Sequence, residues 1–294
     1  MEWIGLTVFA ALMQTIRTAG QKALGATLSP ITNTFVRYSY GLPWAIAYVV
    51  IVSLMTDSTV QISREFLIYC CIAGISQIIA TVLLIYLLGE KHFAIGTVFS
   101  KTEVMLTAII GALYFSEQYS MYSWLGIGVC TLCVFYFNRG GSGVPFWHLL
   151  MRKHAWLGIC SGFGFVLTAI YLRQACLALG GEPMLSAAVC LVVVVSFQSL
   201  FMLGYVLLRE RRQLVVLQQN QAMACFIGIT SLLGSVGWFS ALSFVSASHV
   251  RALGQVELLF ALFIGRFYFG ESSRFREWVA VTLMGMGVVM VVLG

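Results

Sequence analysis

Two carboxylates and a group of basic side chains lie where the chain is otherwise apolar, and these are the residues that could do chemistry. Glu103 and Glu257 each sit in the middle of an apolar run, with Lys101 just before the first and Arg251 just before the second. A charge at the centre of a bilayer costs at least about 2.5–3.5 kcal/mol even on the most lenient scale, so such groups face protein or a water-filled cavity. The basic residues inside apolar runs are Arg17, Arg37, Lys101, Arg173, Arg251 and Arg266. Arg37 and Arg266 lie within about two turns of a helix end, from where a long side chain can snorkel to lipid headgroups.

Helix geometry sorts the deeper charges onto two faces. Positions two apart are about 200° apart around a helix, so Lys101 and Glu103 do not point the same way. Lys101 shares a face with Thr97, and Arg251 shares the equivalent face with Gln255. Two assignments stand open. Either Lys101 and Arg251 line a cavity and attract an anionic group while the glutamates brace neighbouring helices, or the glutamates line it and titrate. A carboxylic acid in a low-dielectric pocket has its pKa raised, which suits proton coupling. A third reading pairs all four internally, away from any substrate. The excess of buried bases over acids favours a substrate with a carboxylate or phosphate. Further lining comes from Gln14, Gln21, Tyr38, Trp44, Gln77, Tyr86, Tyr171, Gln174, Gln198, Trp238 and His249, with Trp238 as the aromatic wall. Taken singly, most of these are expected at lipid interfaces or in helix-to-helix hydrogen bonds.

The elements that must hold these groups follow from composition. The chain is 60% apolar and 10% charged, with four prolines in 294 residues. A soluble domain of this size has too much surface to hide so much apolar side chain. Apolar runs of about 20 residues, the length that crosses a hydrocarbon core as a helix, recur throughout. They predict an all-α integral membrane protein with ten spans, near 3–22, 31–54, 66–88, 93–115, 121–138, 155–178, 184–208, 222–244, 246–269 and 276–293.

The chain is also written twice. Residues 93–139 align with 247–293 at a constant shift of 154, so that Glu103 meets Glu257, Gly111 meets Gly265, Glu117 meets Glu271 and Trp124 meets Trp278. The same shift matches Cys71 with Cys225, Gly74 with Gly228 and Val82 with Val236. A shift of 153 matches Gly5 with Gly158, Thr15 with Thr168, Gln21 with Gln174 and Pro30 with Pro183. Residues 1–139 and 155–294 are therefore read as two five-helix repeats around a central cavity, joined by a basic, Gly-rich loop at 140–154. Five is odd, so the second repeat must be inverted, a plan that places binding sites near the midplane between repeats.

Basic residues orient the chain. Lys22, Lys91, Arg139, Arg152, Lys153, Arg209, Arg211, Arg212, Arg274 and Arg276 fall on one side and Arg64 alone on the other. The positive-inside rule makes the first side cytoplasmic, with both termini outside, as expected for an inner (plasma) membrane protein of a bacterium. The net charge of +6 is read as this asymmetry and not as a nucleic-acid surface. The N-terminal run has no basic leader and is interrupted by Arg17, so it reads as a retained helix.

Glu117 and Glu271 follow the fourth and ninth spans and read as caps of the next helix, aided by Ser120, Ser272 and Ser273. Gly126, Gly128, Gly285 and Gly287 would allow close helix approach within a repeat or at a dimer contact, leaving monomer and homodimer both open. The eight cysteines all lie in apolar runs, where they behave as small hydrophobes, the Cys130–Cys133 pair included.

With ten short spans in two halves, an arginine early in the second helix (FVRYSY, Arg37) and helices ending YFSE and YFGE before Trp-bearing last spans, the chain resembles the EamA family of the drug/metabolite transporter superfamily. The resemblance covers essentially all residues. It implies a basket of ten helices, alternating access and mostly metabolite efflux. Many relatives carry Pro just after the mid-span position of the fourth and ninth helices, where this chain has Val104 and Leu258.

The expected function is a secondary transporter, exporting a small polar or anionic metabolite such as an amino acid or organic acid. No phosphate-binding loop is present, so coupling would come from protons, exchange or simple flux, and no cofactor or metal is expected. A lipid flippase or partner subunit is the alternative. An intramembrane enzyme would need clustered nucleophile, base or metal ligands, whereas the sole aspartate is Asp57 and the four histidines are scattered.

Overall fold

The computed structural model describes residues 2–56, 60–89, 103–114, 120–138, 153–267 and, near the end, 279, 282–283, 285–287 and 289–291. Among them every regular element is helical. In chain order these are α1 (Glu2–Leu24), α2 (Pro30–Ser39), α3 (Leu42–Met55), α4 (Arg64–Gly89), α5 (Glu103–Tyr114), α6 (Met121–Asn138), α7 (Lys153–Leu179), α8 (Pro183–Arg209), α9 (Gln213–Gln219), α10 (Gln221–Phe244), α11 (Ala247–Leu253), a 3₁₀ turn (Gly254–Val256) and α12 (Glu257–Phe267). Among the described residues five segments are long and apolar enough to cross a membrane: Pro30–Met55, Arg64–Leu87, Trp156–Leu179, Pro183–Arg209 and Gln221–Phe244. Glu103–Leu113 and Met121–Cys133 add shorter apolar helices.

Among the described residues two expected spans are broken. The span at 31–54 divides into α2 and α3 because Pro43 cannot continue a helix. Its ring clashes with the carbonyl four residues back, that of Ser39, where α2 ends. The span at 246–269 divides at Gly254–Val256 without any proline. Gly254 has room for no side chain: a Cβ there would lie 2.4 Å from Cη2 of Trp238. A glycine is a weak helix residue, and this one lets the indole press against the backbone.

The strongest helix contacts join the halves. α4 packs along α7, α1 packs along α10, α2 and α3 pack on α8, and α5 packs on α11. Exchanging the halves returns the same set of pairs. The duplicated glycines explain how close these contacts come. A Cβ on Gly228 would lie 2.5 Å from Tyr40 Cβ, and one on Gly74 would lie 2.9 Å from a Phe197 ring carbon. Each sits on the third long span of its half, against the second span of the other. Gly126 and Gly287 also meet, with a hypothetical Gly126 Cβ 2.6 Å from the Gly287 carbonyl, whereas Gly128 and Gly285 face open space. That close approach lies between the two halves of one chain, and not within a repeat or at a dimer contact as the sequence suggested.

The main core gathers where α1, α2, α4, α7, α8 and α10 converge, around Val36, Phe66, Leu172, Leu191, Ile227 and Leu242. A second cluster joins Val104, Ala108 and Ile127 to Ala252 and Val291. Polar contacts fix the ends. Ser29 caps α2, accepting from the Thr32 amide at 3.1 Å. The Glu210 carboxylate accepts from the Ser29 and Thr32 hydroxyls, tying the start of α2 to the end of α8. A carboxylate there also suits the positive end of the α2 dipole. All eight cysteines are free thiols.

Candidate functional site

α11, the 3₁₀ turn and α12 carry Arg251, Gln255 and Glu257 past the flank of α1 and α10. A helix interrupted inside a membrane leaves backbone groups to be satisfied, which is tolerated where protein or a cavity covers the break. Here α1 lies against both the turn and α12.

Arg251 is buried, at 8% exposure, and makes three kinds of contact. Its Nη1 stands 3.8 Å from Glu103 Oε1 on α5 of the other half. Its guanidinium lies over the Trp238 ring, 5.1 Å from the centroid. Its Nε has no hydrogen-bond partner among the described residues. A desolvated cation over an indole gains about 2 kcal/mol, but an ion pair at 3.8 Å is at the edge of contact. The guanidinium therefore retains donor capacity.

A hydrogen-bonded relay extends from this pair. Trp238 Nε1 donates to Gln14 Oε1 at 3.0 Å, and Gln14 Nε2 donates to Glu257 Oε2 at 2.8 Å. Gln14 is thus fixed in one amide orientation by an indole donor on one side and a carboxylate on the other. Arg17, one turn further along α1, is 4% exposed and within electrostatic range of Glu257 and Arg37. Its Nε also has no hydrogen-bond partner among the described residues. Gln255 is buried, with Nε2 3.3 Å from the Arg251 carbonyl and Oε1 without a partner among the described residues.

Arg37 does not snorkel. It is 5% exposed and turns inward, with Nε donating to Ser231 at 3.1 Å and Nη1 to Thr81 at 3.0 Å. Snorkelling is not available to it because the break after Ser39 lets α2 press into the core between α4, α8 and α10. Arg173 is structural: its Nη1 donates to the Leu242 carbonyl at 2.9 Å and to that of Val245, capping the negative end of α10.

His249 lies on a different face of α11 from Arg251. Its Nδ1 lies 2.5 Å from Ser246 Oγ and its ring stands edge-on to Trp3, centroids 6.4 Å apart. Two residues from Arg251 on a helix, it faces elsewhere, toward the start of α1. Trp44 and Tyr86 are exposed on the outer surface at 53% and 40%. Lys101 and Arg266 lie outside the residues whose side chains the structure describes, as do Glu117 and Glu271.

Helix geometry separated bases from acids along one helix, yet the structure brings Arg251 and Glu103 together. The two come from different helices in different halves, so the angle between neighbours on one helix sets no limit on them. Arg17 was counted among the intramembrane bases but given no place beside the glutamates, and the structure sets it near Glu257. Gln14, Arg17 and Gln21, spaced for one helix face, were the signal for it. The hydroxyls around Arg37 carry a clearer one. At the shift of 154, Gln77 matches Ser231 and Thr81 matches Ser235, and all four gather near Arg37.

No group of three or more metal-ligating side chains is placed to hold a metal ion among the described residues. A crystal structure of a protein superposes with TM-score 0.71, covering 100% of this chain and 98% of that one at 10% identity, which shows a shared fold. No curated protein sequence matches the chain. The model of the EamA-like transporter family matches residues 1–139 and again 152–293, one match for each half. The chain belongs to the EamA-like transporter family and is an integral membrane transporter built of two repeats.

Proposed function

We propose that this transporter moves a small polar or anionic metabolite, outward across a bacterial inner membrane, by alternating access around Arg251. One observation carries the reading. A guanidinium on a broken helix of one half meets a carboxylate from the other half, so the bond between the halves and the bond to a substrate anion compete for the same donors. An incoming carboxylate that takes over Arg251 releases Glu103, and the two halves are then free to rock. Glu257, bonded through Gln14 to Trp238, is the group through which a proton would be coupled.

The exchange-symmetric helix pairing supports two inverted five-helix repeats, ten spans in all. The asymmetry of basic residues supports cytoplasmic loops on the side of Lys22 and Arg209 to Arg212, with both termini outside. Flux into liposomes carrying the purified protein tests the reading, with amino acids, organic acids and nucleosides as solutes. Arg251→Gln should weaken anionic solutes more than neutral ones. Equal loss for both would remove Arg251 as the anion site, and movement of labelled lipid without solute flux would favour a flippase.

A further inference from the structure

Arg37 is buried, and no carboxylate among the described residues answers its charge. The other guanidiniums within electrostatic range, Arg17 and Arg251, are cations like itself. A guanidinium has five N–H donors in a planar fork, and here Nε and Nη1 are held by the neutral hydroxyls of Ser231 and Thr81. Nη2 has no hydrogen-bond partner among the described residues. Burying a charge is costly unless it is paired, so this one calls for an anion.

Beside Arg37 lies a small void with walls from α2, α4, α8 and α10. Away from its mouth it has room for about one water-sized particle, which excludes a carboxylic acid, a phosphate or any other polyatomic solute. Its polar lining is rich in donors and contains no acid. Gln77 Oε1 accepts from Gln198 Nε2 at 2.8 Å, which sets the Gln77 amide and leaves both hydrogens of its Nε2 without an acceptor among the described residues. The Ser235 hydroxyl likewise has no partner among the described residues. Gln198 Oε1 is enclosed by its neighbours and takes no part. A water in the void would satisfy some of these donors but would leave Arg37 without a counter-charge.

We infer that this void binds one monatomic anion, a halide such as chloride, as the counter-ion of Arg37. Arg37 Nη2, Gln77 Nε2 and the Ser235 hydroxyl supply its donors. A halide accepts hydrogen bonds from any direction, is only slightly larger than water, and carries the charge that water lacks. The site joins the two repeats, because Arg37 and Gln77 belong to the first and Ser235 to the second. Halide binding therefore tightens the seam between α2, α4 and α10. There is one such site per chain, because at the shift of 153 the position matching Arg37 is Cys190. It differs in kind from the Arg251 centre, where an organic anion competes with Glu103. Here nothing is displaced, and nothing polyatomic enters.

Thermal unfolding of the purified full-length protein in detergent tests the inference, with sodium chloride replaced by sodium gluconate at constant ionic strength. Because Arg251 is itself an anion centre, the comparison is made in Arg251→Gln as well as in the unaltered chain. Chloride and bromide should each raise the melting temperature over gluconate by at least about 2 °C in both, saturably. Arg37→Gln should abolish the rise. Ser235→Asp should abolish it too, by setting a carboxylate where the halide sits, and it decides the matter if Arg37→Gln does not fold. Crystals grown in bromide should show anomalous density beside Arg37, whatever is bound at Arg251, and they settle the site if Arg251→Gln does not fold. The inference is overturned if gluconate serves as well as chloride, or if the chloride effect disappears with Arg251. It is equally overturned if the effect survives Arg37→Gln or Ser235→Asp, or if the void in the bromide crystals holds only water.

Discussion

Arg251 and Arg37 are both buried guanidiniums on broken spans, and they are accommodated differently. Arg251 meets a carboxylate from the opposite half and the face of an indole. Arg37 meets two hydroxyls, Ser231 and Thr81, with its own neighbour Tyr38 beneath it. At the first centre charge is balanced by protein, so a ligand must displace something. At the second no carboxylate among the described residues balances it. An internally paired arginine ties two halves together, whereas one held by neutral groups keeps an unbalanced charge.

The largest test of that contrast is deletion of each cation. Arg251→Leu strands Glu103 in the interior, which should cost about 3–5 kcal/mol and lower the detergent melting temperature markedly. Arg37→Leu strands only hydroxyls and should cost far less; equal losses would erase the distinction. Glycine substitutions come next. Gly228→Ala drives a Cβ into the backbone at Tyr40, beside the Arg37 centre. Gly254→Ala meets only the rim of Trp238, beside Arg251. Overpacking costs about 1–3 kcal/mol, and Gly228 should sit at or above the upper end because backbone yields less readily than a side chain. Thermal unfolding of both variants orders them.

Trp238→Phe should be milder, near 1 kcal/mol, because it keeps a ring for Arg251 but removes the donor to Gln14. It should also shift the pH profile of flux if Glu257 couples protons through Gln14, and Glu257→Gln should flatten that profile. An unchanged profile in both variants would make Glu257 a brace. The smallest effect is expected at Gly128→Ala and Gly285→Ala, which face open space and should stay within about 0.5 kcal/mol.

Much of this was legible in the sequence and some was not, for reasons that are physical. Apolar run length marks helices, and duplication marks equivalent depth, so the glutamates, Arg251 and Trp238 stood out before any coordinates. Angles along one helix are equally readable, yet the sequence reading kept His249 beside Arg251 in the lining, although two positions apart on a helix they face different ways. What pattern does not carry is the angle between helices from different halves, and that is where Glu103 meets Arg251. The break after Ser39 was written in Pro43, but the break at Gly254 depends on an indole sixteen residues earlier in the chain. The proline that many relatives carry after the ninth mid-span position is absent here, and the helix breaks nonetheless.

The packing of α1 on α10 and of α4 on α7 has a consequence for how the protein is made. Residues 25–244 separate the end of α1 from the end of α10. At a synthesis rate of about 5–20 residues per second, the interval between their emergence is about 10–40 s. Through that time Arg17 and Gln14 sit on a helix whose eventual cover does not yet exist. The first half must wait in the translocon or among lipids with its polar stripe unsatisfied, so the nascent chain, more than the finished one, is where a chaperone or insertase would find purchase.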